Sequence, residues 1–224
     1  MVEDHDHNGI NSRKIKTTNL DGYVDPFSLT SNEFQILLNG GGTTTGGSVT
    51  HQLGGVIVDS GAAAGNFAHT YYNPSMTVTG MNTFKIRFFF NVSDFRSGSV
   101  FYVWVFSEPA TAPTKYIRLR GSGTGVMAGN IYFETSDGTS STSHNISSLF
   151  GTLVLDVCKD IMIEIGKANG KQFARLSVDG TTIDTIFGTI PTFTYATFFQ
   201  LRTESNGSTS TKIKAYSPHA LIAS

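Results

Sequence analysis

Apolar and polar residues alternate with a period of two through most of the chain beyond about residue 56. In FKIRFFFNV (84–92), Phe84, Ile86, Phe88, Phe90 and Val92 share one face, with Lys85, Arg87 and Asn91 opposite, as in a half-buried strand. KYIRLR (115–120) places Ile117 and Leu119 inward against Tyr116, Arg118 and Arg120, and NIYFET (130–135) places Ile131 and Phe133 inward against Tyr132 and Glu134. SVFYVWVFS (99–107) is apolar on both faces, which predicts a central strand covered on each side. Asn169-Gly170 and Asp179-Gly180 separate three further apolar runs near 160–167, 171–178 and 181–187. Both dipeptides accept the positive φ angles of type I′ turns, so two tight hairpins are expected there. YATFFQLRT (195–203) and TKIKAYS (211–217) predict two more strands, joined through Asn206-Gly207.

No window of ordinary helix length carries a 3.6-residue period, and the Gly, Thr and Phe content opposes helix formation. Ten or more antiparallel strands imply an all-β fold, an antiparallel two-sheet jelly-roll sandwich. Residues 1–35 are polar and irregular and predict an N-terminal docking arm, which leaves 36–224 as the sandwich domain. Within it, the Gly- and Thr-rich stretch 39–55 predicts a linker or a long surface loop.

Charge narrows the range of functions. Sixteen basic residues against 17 acidic ones give a net charge of −1, without the basic excess that a nucleic-acid footprint needs. Charged residues form only 15% of the chain, against a usual ~25%, so hydroxyls and loop backbone keep the surface wet. No apolar run approaches the ~18 residues of a membrane span, and no opening stretch combines a basic region with an apolar one as a secretory signal does. Synthesis in a cytoplasm is therefore expected, with release by a route such as lysis. Cys158 is the one cysteine. It has no partner for an intramolecular disulfide, and residue preference predicts a small buried hydrophobe.

The series DIMIEIG … KQFARLSVDGTTIDTI and the ending FQLRTES … STKIKAYSPHAL resemble the concanavalin A-like lectin/glucanase sandwiches, the group that includes laminin-G-like and legume-lectin-like domains. The resemblance covers about three quarters of the chain and implies a final strand returning beside the first. Some members hydrolyse β-glucans with a Glu-x-Asp-x-x-Glu strand, whose alternation sets the carboxylates on one face. That pattern is absent. Glu134 and Asp137 differ by an odd number and run into a turn, and Glu164 stands alone among isoleucines. Calcium, which such lectins bind through loop oxygens, finds only scattered Asp59, Asp94, Asn130 and Asp137, each expected to serve as a turn or Asx cap. His51, His69, His144 and His219 sit in polar, loop-like contexts, and no nucleophile elbow accompanies them.

What the resemblance implies is binding. Sugar recognition pairs aromatic rings with a few placed polar groups, and Trp104, Tyr116, Arg118, Arg120, Tyr132 and Glu134 form the best such cluster. Trp104 itself is expected to be core, because its strand is apolar on both faces. Tyr71 and Tyr72, expected in a loop, offer a second patch.

HDHNGINSRKI (5–15), followed by LDGY (20–23), is similar to a segment near the N-termini of phage virion proteins such as tail fibres; His5, His7, Gly9, Ser12, Lys14 and Ile15 match it. The resemblance implies a non-enzymatic virion structural protein of tail, fibre or capsid surface, synthesised in the host cytoplasm. Its partners would be other virion proteins and a host surface glycan, with no membrane insertion. In a homo-oligomer, a trimer by preference, His5 and His7 from three chains would supply a cage for a transition metal. Docking is the favoured role, with Ile10, Ile15, Leu20 and Tyr23 as anchors on a neighbouring subunit and no cofactor required. The alternative is a glycan-processing enzyme or calcium-dependent lectin of the same fold.

Overall fold

A computed structural model describes residues 23–24, 43–52, 55–72, 76–77, 83–108, 110, 112–192, 195–196, 199–207 and 209–223. Seventeen strands run through them. The first eight are β1 (Tyr23–Val24), β2 (Thr43–Thr45), β3 (Ser48–Gln52), β4 (Gly55–Asp59), β5 (Phe67–Tyr72), β6 (Met76–Thr77), β7 (Thr83–Asp94) and β8 (Val100–Ser107). Then come β9 (Lys115–Gly125), β10 (Ala128–Asp137) and β11 (Ser141–Asn145), and after the single-turn helix α1 (Ser147–Phe150), β12 (Lys159–Ala168), β13 (Lys171–Val178) and β14 (Thr181–Phe187). The last are β15 (Tyr195–Ala196), β16 (Phe199–Glu204) and β17 (Lys212–Ala223).

Two antiparallel sheets result. One has the order β14-β13-β12-β7-β17-β4-β3, with β1 also pairing β17; the other has the order β11-β10-β9-β8-β16-β5-β2, and β6 and β15 form a small separate pair. The expected hairpins are in place. Asn169 and Gly170 take φ of 51° and 77°, Asp179 and Gly180 50° and 80°, the left-handed values that a tight hairpin turn demands.

Alternation decides which side chains enter the space between the sheets. Phe84, Ile86, Phe88, Phe90 and Val92 of β7 face Phe101 and Val103 of β8, Ile117 and Leu119 of β9, Ile131 and Phe133 of β10, and Phe199 and Leu201 of β16 in one buried cluster. Rings interlock across it, Phe88 on Phe199 at 4.9 Å and Phe90 on Phe101 at 5.3 Å between centroids. Burying each such side chain contributes about 1.5–3 kcal/mol, and the two inner faces together form the core of the sandwich.

Some expectations need correction. The stretch 39–55 is not a plain linker: its Thr and Val residues form β2 and β3, which extend the edges of both sheets. Thr and Val suit a pleated edge, and two glycines let the chain turn between the strands. YATFFQLRT is not one strand but the short β15 followed by β16. Its continuation β17 crosses to the opposite sheet, so Asn206-Gly207 connects the layers and not two paired strands. Glu164, considered above as a lone carboxylate, is held by cations: Lys85 and Arg175 both lie 3.4 Å from it on the outer face of the first sheet.

Gly123 shows how close the layers of backbone come. It exchanges backbone hydrogen bonds with the 96–99 turn, Gly123 N–H to Ser99 O and Gly98 N–H to Gly123 O, both at 2.9 Å. A Cβ there would overlap the Arg96 carbonyl oxygen.

Candidate functional site

Strands β8 to β11 lie side by side, and their outward positions meet in register. Arg120 stands opposite Tyr132 and Arg118 opposite Glu134 on β10. On the other side Tyr102 stands opposite Arg120 and Trp104 opposite Arg118, while Ser143 of β11 faces Glu134. The six residues singled out from the sequence are thereby brought onto one face of the seven-stranded sheet.

Glu134 is the hub of this face. Arg118 donates from Nε to its Oε2 at 2.7 Å, Arg120 donates from Nε and Nη2 to its Oε1 at 3.1 and 2.9 Å, and the Ser143 hydroxyl donates to Oε1 at 2.9 Å. The Glu134 side chain is only 6% exposed. Burial pushes its carboxyl pKa up, but the hydrogen bond from Arg120, the charge and hydrogen bond of Arg118 and the Ser143 hydroxyl together hold it below the usual carboxylate range. The guanidiniums are also stacked, Arg118 over Tyr116 at 4.0 Å and Tyr102 at 5.0 Å, and Arg120 over Tyr132 at 4.1 Å. Such contacts hold a flexible cation in one orientation.

The face continues onto β16 and β5, and Tyr71 and Tyr72 lie in β5 rather than in a loop. Arg202 stacks over Phe67 at 4.5 Å and pairs with Glu204 at 2.7 Å. His69, expected in a loop, is in β5 and fully buried, 2.8 Å from the Gln200 side-chain oxygen. The Gln200 amide nitrogen donates to Ser107 Oγ and to the Glu108 carbonyl. Its oxygen therefore faces the ring, so His69 Nε2 carries the proton and Nδ1 a lone pair. Burial pulls the His69 pKa down to about 4, the Gln200 hydrogen bond works against this, and the Arg202 charge adds to it. Phe67, His69 and Tyr71 alternate with Ala68 and Thr70, and that period-2 signal was the one available clue.

Trp104 is buried, as expected, but outside the inter-sheet core. It points outward beside Tyr102, the rings stacked at 4.9 Å and 15°, and meets the His69 ring edge-on at 6.1 Å. Neither Trp104 Nε1 nor His69 Nδ1 has a hydrogen-bond partner among the described residues. Tyr71 shares this face and lies 5.7 Å from His69.

Elsewhere Cys158 departs from expectation: it is exposed, in the 151–158 connection where its neighbours Val154, Leu155 and Val157 are exposed as well. A connection lying outside both sheets cannot bury all the apolar residues it carries. Asp59 and Asp137 are turn residues, accepting from Gly61 N–H and from the Thr139 and Ser140 N–H groups. Among the described residues no group of three or more His, Cys, Asp or Glu side chains is placed to hold a metal ion, and no helix is long and apolar enough to cross a membrane. His5, His7, Ile10, Ile15 and Leu20 lie outside the described residues; Tyr23 belongs to β1, opposite Leu221 of β17.

Compared by sequence, the chain matches no protein-family profile. It also matches no curated protein. Solved structures do match. The Emp46p carbohydrate recognition domain in its potassium-bound form superposes with a TM-score of 0.58 at 10% identity, over 89% of this chain and 94% of that one. The legume lectin-like domain from Entamoeba histolytica gives 0.52 at 12%, over 85% and 92%. Bacillus licheniformis β-glucanase gives 0.51 at 10%, over 91% and 98%. The described residues therefore share the fold of these carbohydrate-recognition domains and of this glucanase, a concanavalin A-like sandwich of two antiparallel sheets.

Proposed function

We propose that this chain is a non-enzymatic glycan-binding protein whose ligand surface is the outer face of β8–β11, and that it acts as a virion structural component. The observation that carries the binding reading is the lattice around Glu134. There Tyr102, Tyr116 and Tyr132 offer rings beside Arg118, Arg120 and Ser143, all cross-linked before any ligand arrives. Flat apolar rings with a few fixed donors suit the alternating CH and OH faces of a sugar. The non-enzymatic reading is supported by the same carboxylate. Held ionised by two guanidiniums, Glu134 is poorly suited to donate a proton to a glycosidic oxygen, and Asp137 is spent on its own turn.

Tyr116→Ala and Tyr132→Ala should each weaken oligosaccharide binding about tenfold, by loss of roughly 1–1.5 kcal/mol of ring contact, when titrated by calorimetry against a glycan panel. Unchanged affinity in both variants would overturn this face as the site. Reducing-sugar release from the same glycans would overturn the non-enzymatic reading.

The virion reading is supported by the HDHNGINSRKI string and by LDGY after it. On it, residues 1–35 dock the sandwich to its particle as part of a trimer on the virion surface. Deleting residues 1–22 leaves β1 in place and should leave the sandwich folded while abolishing incorporation into particles. Normal incorporation of the truncated chain would refute the arm, and a monomer by light scattering of the intact chain would refute the trimer.

A further inference from the structure

Charge around Tyr102 is unbalanced. Arg118, Arg120 and Arg202 all act on its phenol against the one carboxylate of Glu204, while Glu134 lies between Arg118 and Arg120. Glu204 is taken by Arg202, so Arg118 and Arg120 share the single charge of Glu134.

The two partners are bound differently. Arg120 engages Glu134 side-on, through Nε and Nη2. Arg118 uses Nε alone, at 2.7 Å, and its Nη1 and Nη2 make no hydrogen bond among the described residues. This leaves the end-on fork of Arg118 uncommitted, the pair of parallel N–H donors that matches a carboxylate. The fork is also preset, because the guanidinium is stacked against Tyr116 and Tyr102 and its side chain is only 17% exposed. A cation already immobilised gives up little entropy on binding, and its reduced contact with water strengthens attraction to an anion.

We infer that this face selects acidic glycans, with the fork of Arg118 receiving a sugar carboxylate, and that Tyr102 and Tyr116 bracket that position. The inference rests on the glycan-binding reading above and adds the substrate class to it. The shared chemistry is a carboxylate on a pyranose ring, whether of a uronic acid or of a sialic acid. A hydroxyl group would accept from the same donors but would leave the excess positive charge uncompensated.

The test uses the intact wild-type chain and matched ligand pairs: tetragalacturonate against its carboxyl-reduced counterpart, and 3′-sialyllactose against lactose. At least one acidic ligand should bind about tenfold or more tighter than its neutral match, the gain expected of a charge-assisted bidentate contact, and the pair that shows it identifies the source. Arg118→Lys, which keeps the charge and the volume of the stem but not the fork, should cut that preference several-fold with little effect on folding. Arg118→Gln keeps one donor for Glu134 and should abolish the preference. Neutral ligands bound as tightly as acidic ones would overturn the carboxylate inference and leave the glycan-binding face standing. No binding to any member of the panel would overturn both.

Discussion

Glu134→Ala is expected to destabilise the protein by about 3 kcal/mol, near the lower end of the range for removing one partner of a buried ion pair. The lower end applies because both arginines keep part of their guanidiniums in water, at 17% and 24% side-chain exposure. The alanine removes the acceptor for Arg118, Arg120 and Ser143 together. Two cations on neighbouring positions of β9 are then left half-buried, facing each other without an anion between them. Glu134→Gln keeps the shape and one acceptor and should cost less, about 1–2 kcal/mol. Urea unfolding of the three proteins at neutral pH measures both values. An alanine variant within about 0.5 kcal/mol of wild type, the scatter of ordinary surface substitutions, would show that the cluster contributes nothing net to folding.

Acidification should reveal His69. Its folded-state pKa is lowered from 6.5 to about 4, so between those values the unfolded chain binds a proton that the folded protein does not. Unfolding is therefore favoured progressively as pH falls through this window. The stability at stake is fully present above about pH 6.5 and is on the order of 3 kcal/mol smaller by pH 4. Carboxylates with depressed pKa values, Glu134 among them, lose their own contribution at the acid end, so the wild-type curve alone does not isolate the histidine. His69→Gln does: its amide still donates toward Gln200 but cannot titrate. The wild-type and variant stabilities, measured by urea unfolding at steps from pH 7.5 to 4, should converge as pH falls. Two curves running parallel throughout would show that His69 is accessible to protons in the folded state.

Both predictions concern residues that the sequence exposed unequally. Glu134, Arg118 and Arg120 were legible because β9 and β10 alternate cleanly, each strand with aliphatic residues inward and charged or aromatic ones outward. A period of two is a local property, and it survives folding wherever one face is buried. His69 is less legible because Phe67, Thr70, Tyr71 and Tyr72 soften the contrast between faces, and its polar neighbours resemble a loop. Trp104 was expected to be core and is indeed buried, but on the outer side of its sheet. In VFYVWVFS both faces are apolar, so alternation carries no information about which one meets the other sheet. Tertiary pairing decides that, through Tyr102 and Trp104 standing opposite Arg120 and Arg118.

By itself the sequence determined the all-β class, the two Xaa-Gly hairpins and the inward and outward faces of β7, β9 and β10, all features set by residues close together along the chain. Only the tertiary structure decided the order of strands in each sheet, the crossing of the chain from β16 to β17 between layers, and the burial of His69 beside Trp104. It also decided that Arg118 and Arg120 share one carboxylate, since Glu134 reaches both only because β10 lies beside β9 in a single register. These are contacts between residues far apart in the chain, and no local pattern encodes which strand becomes whose neighbour.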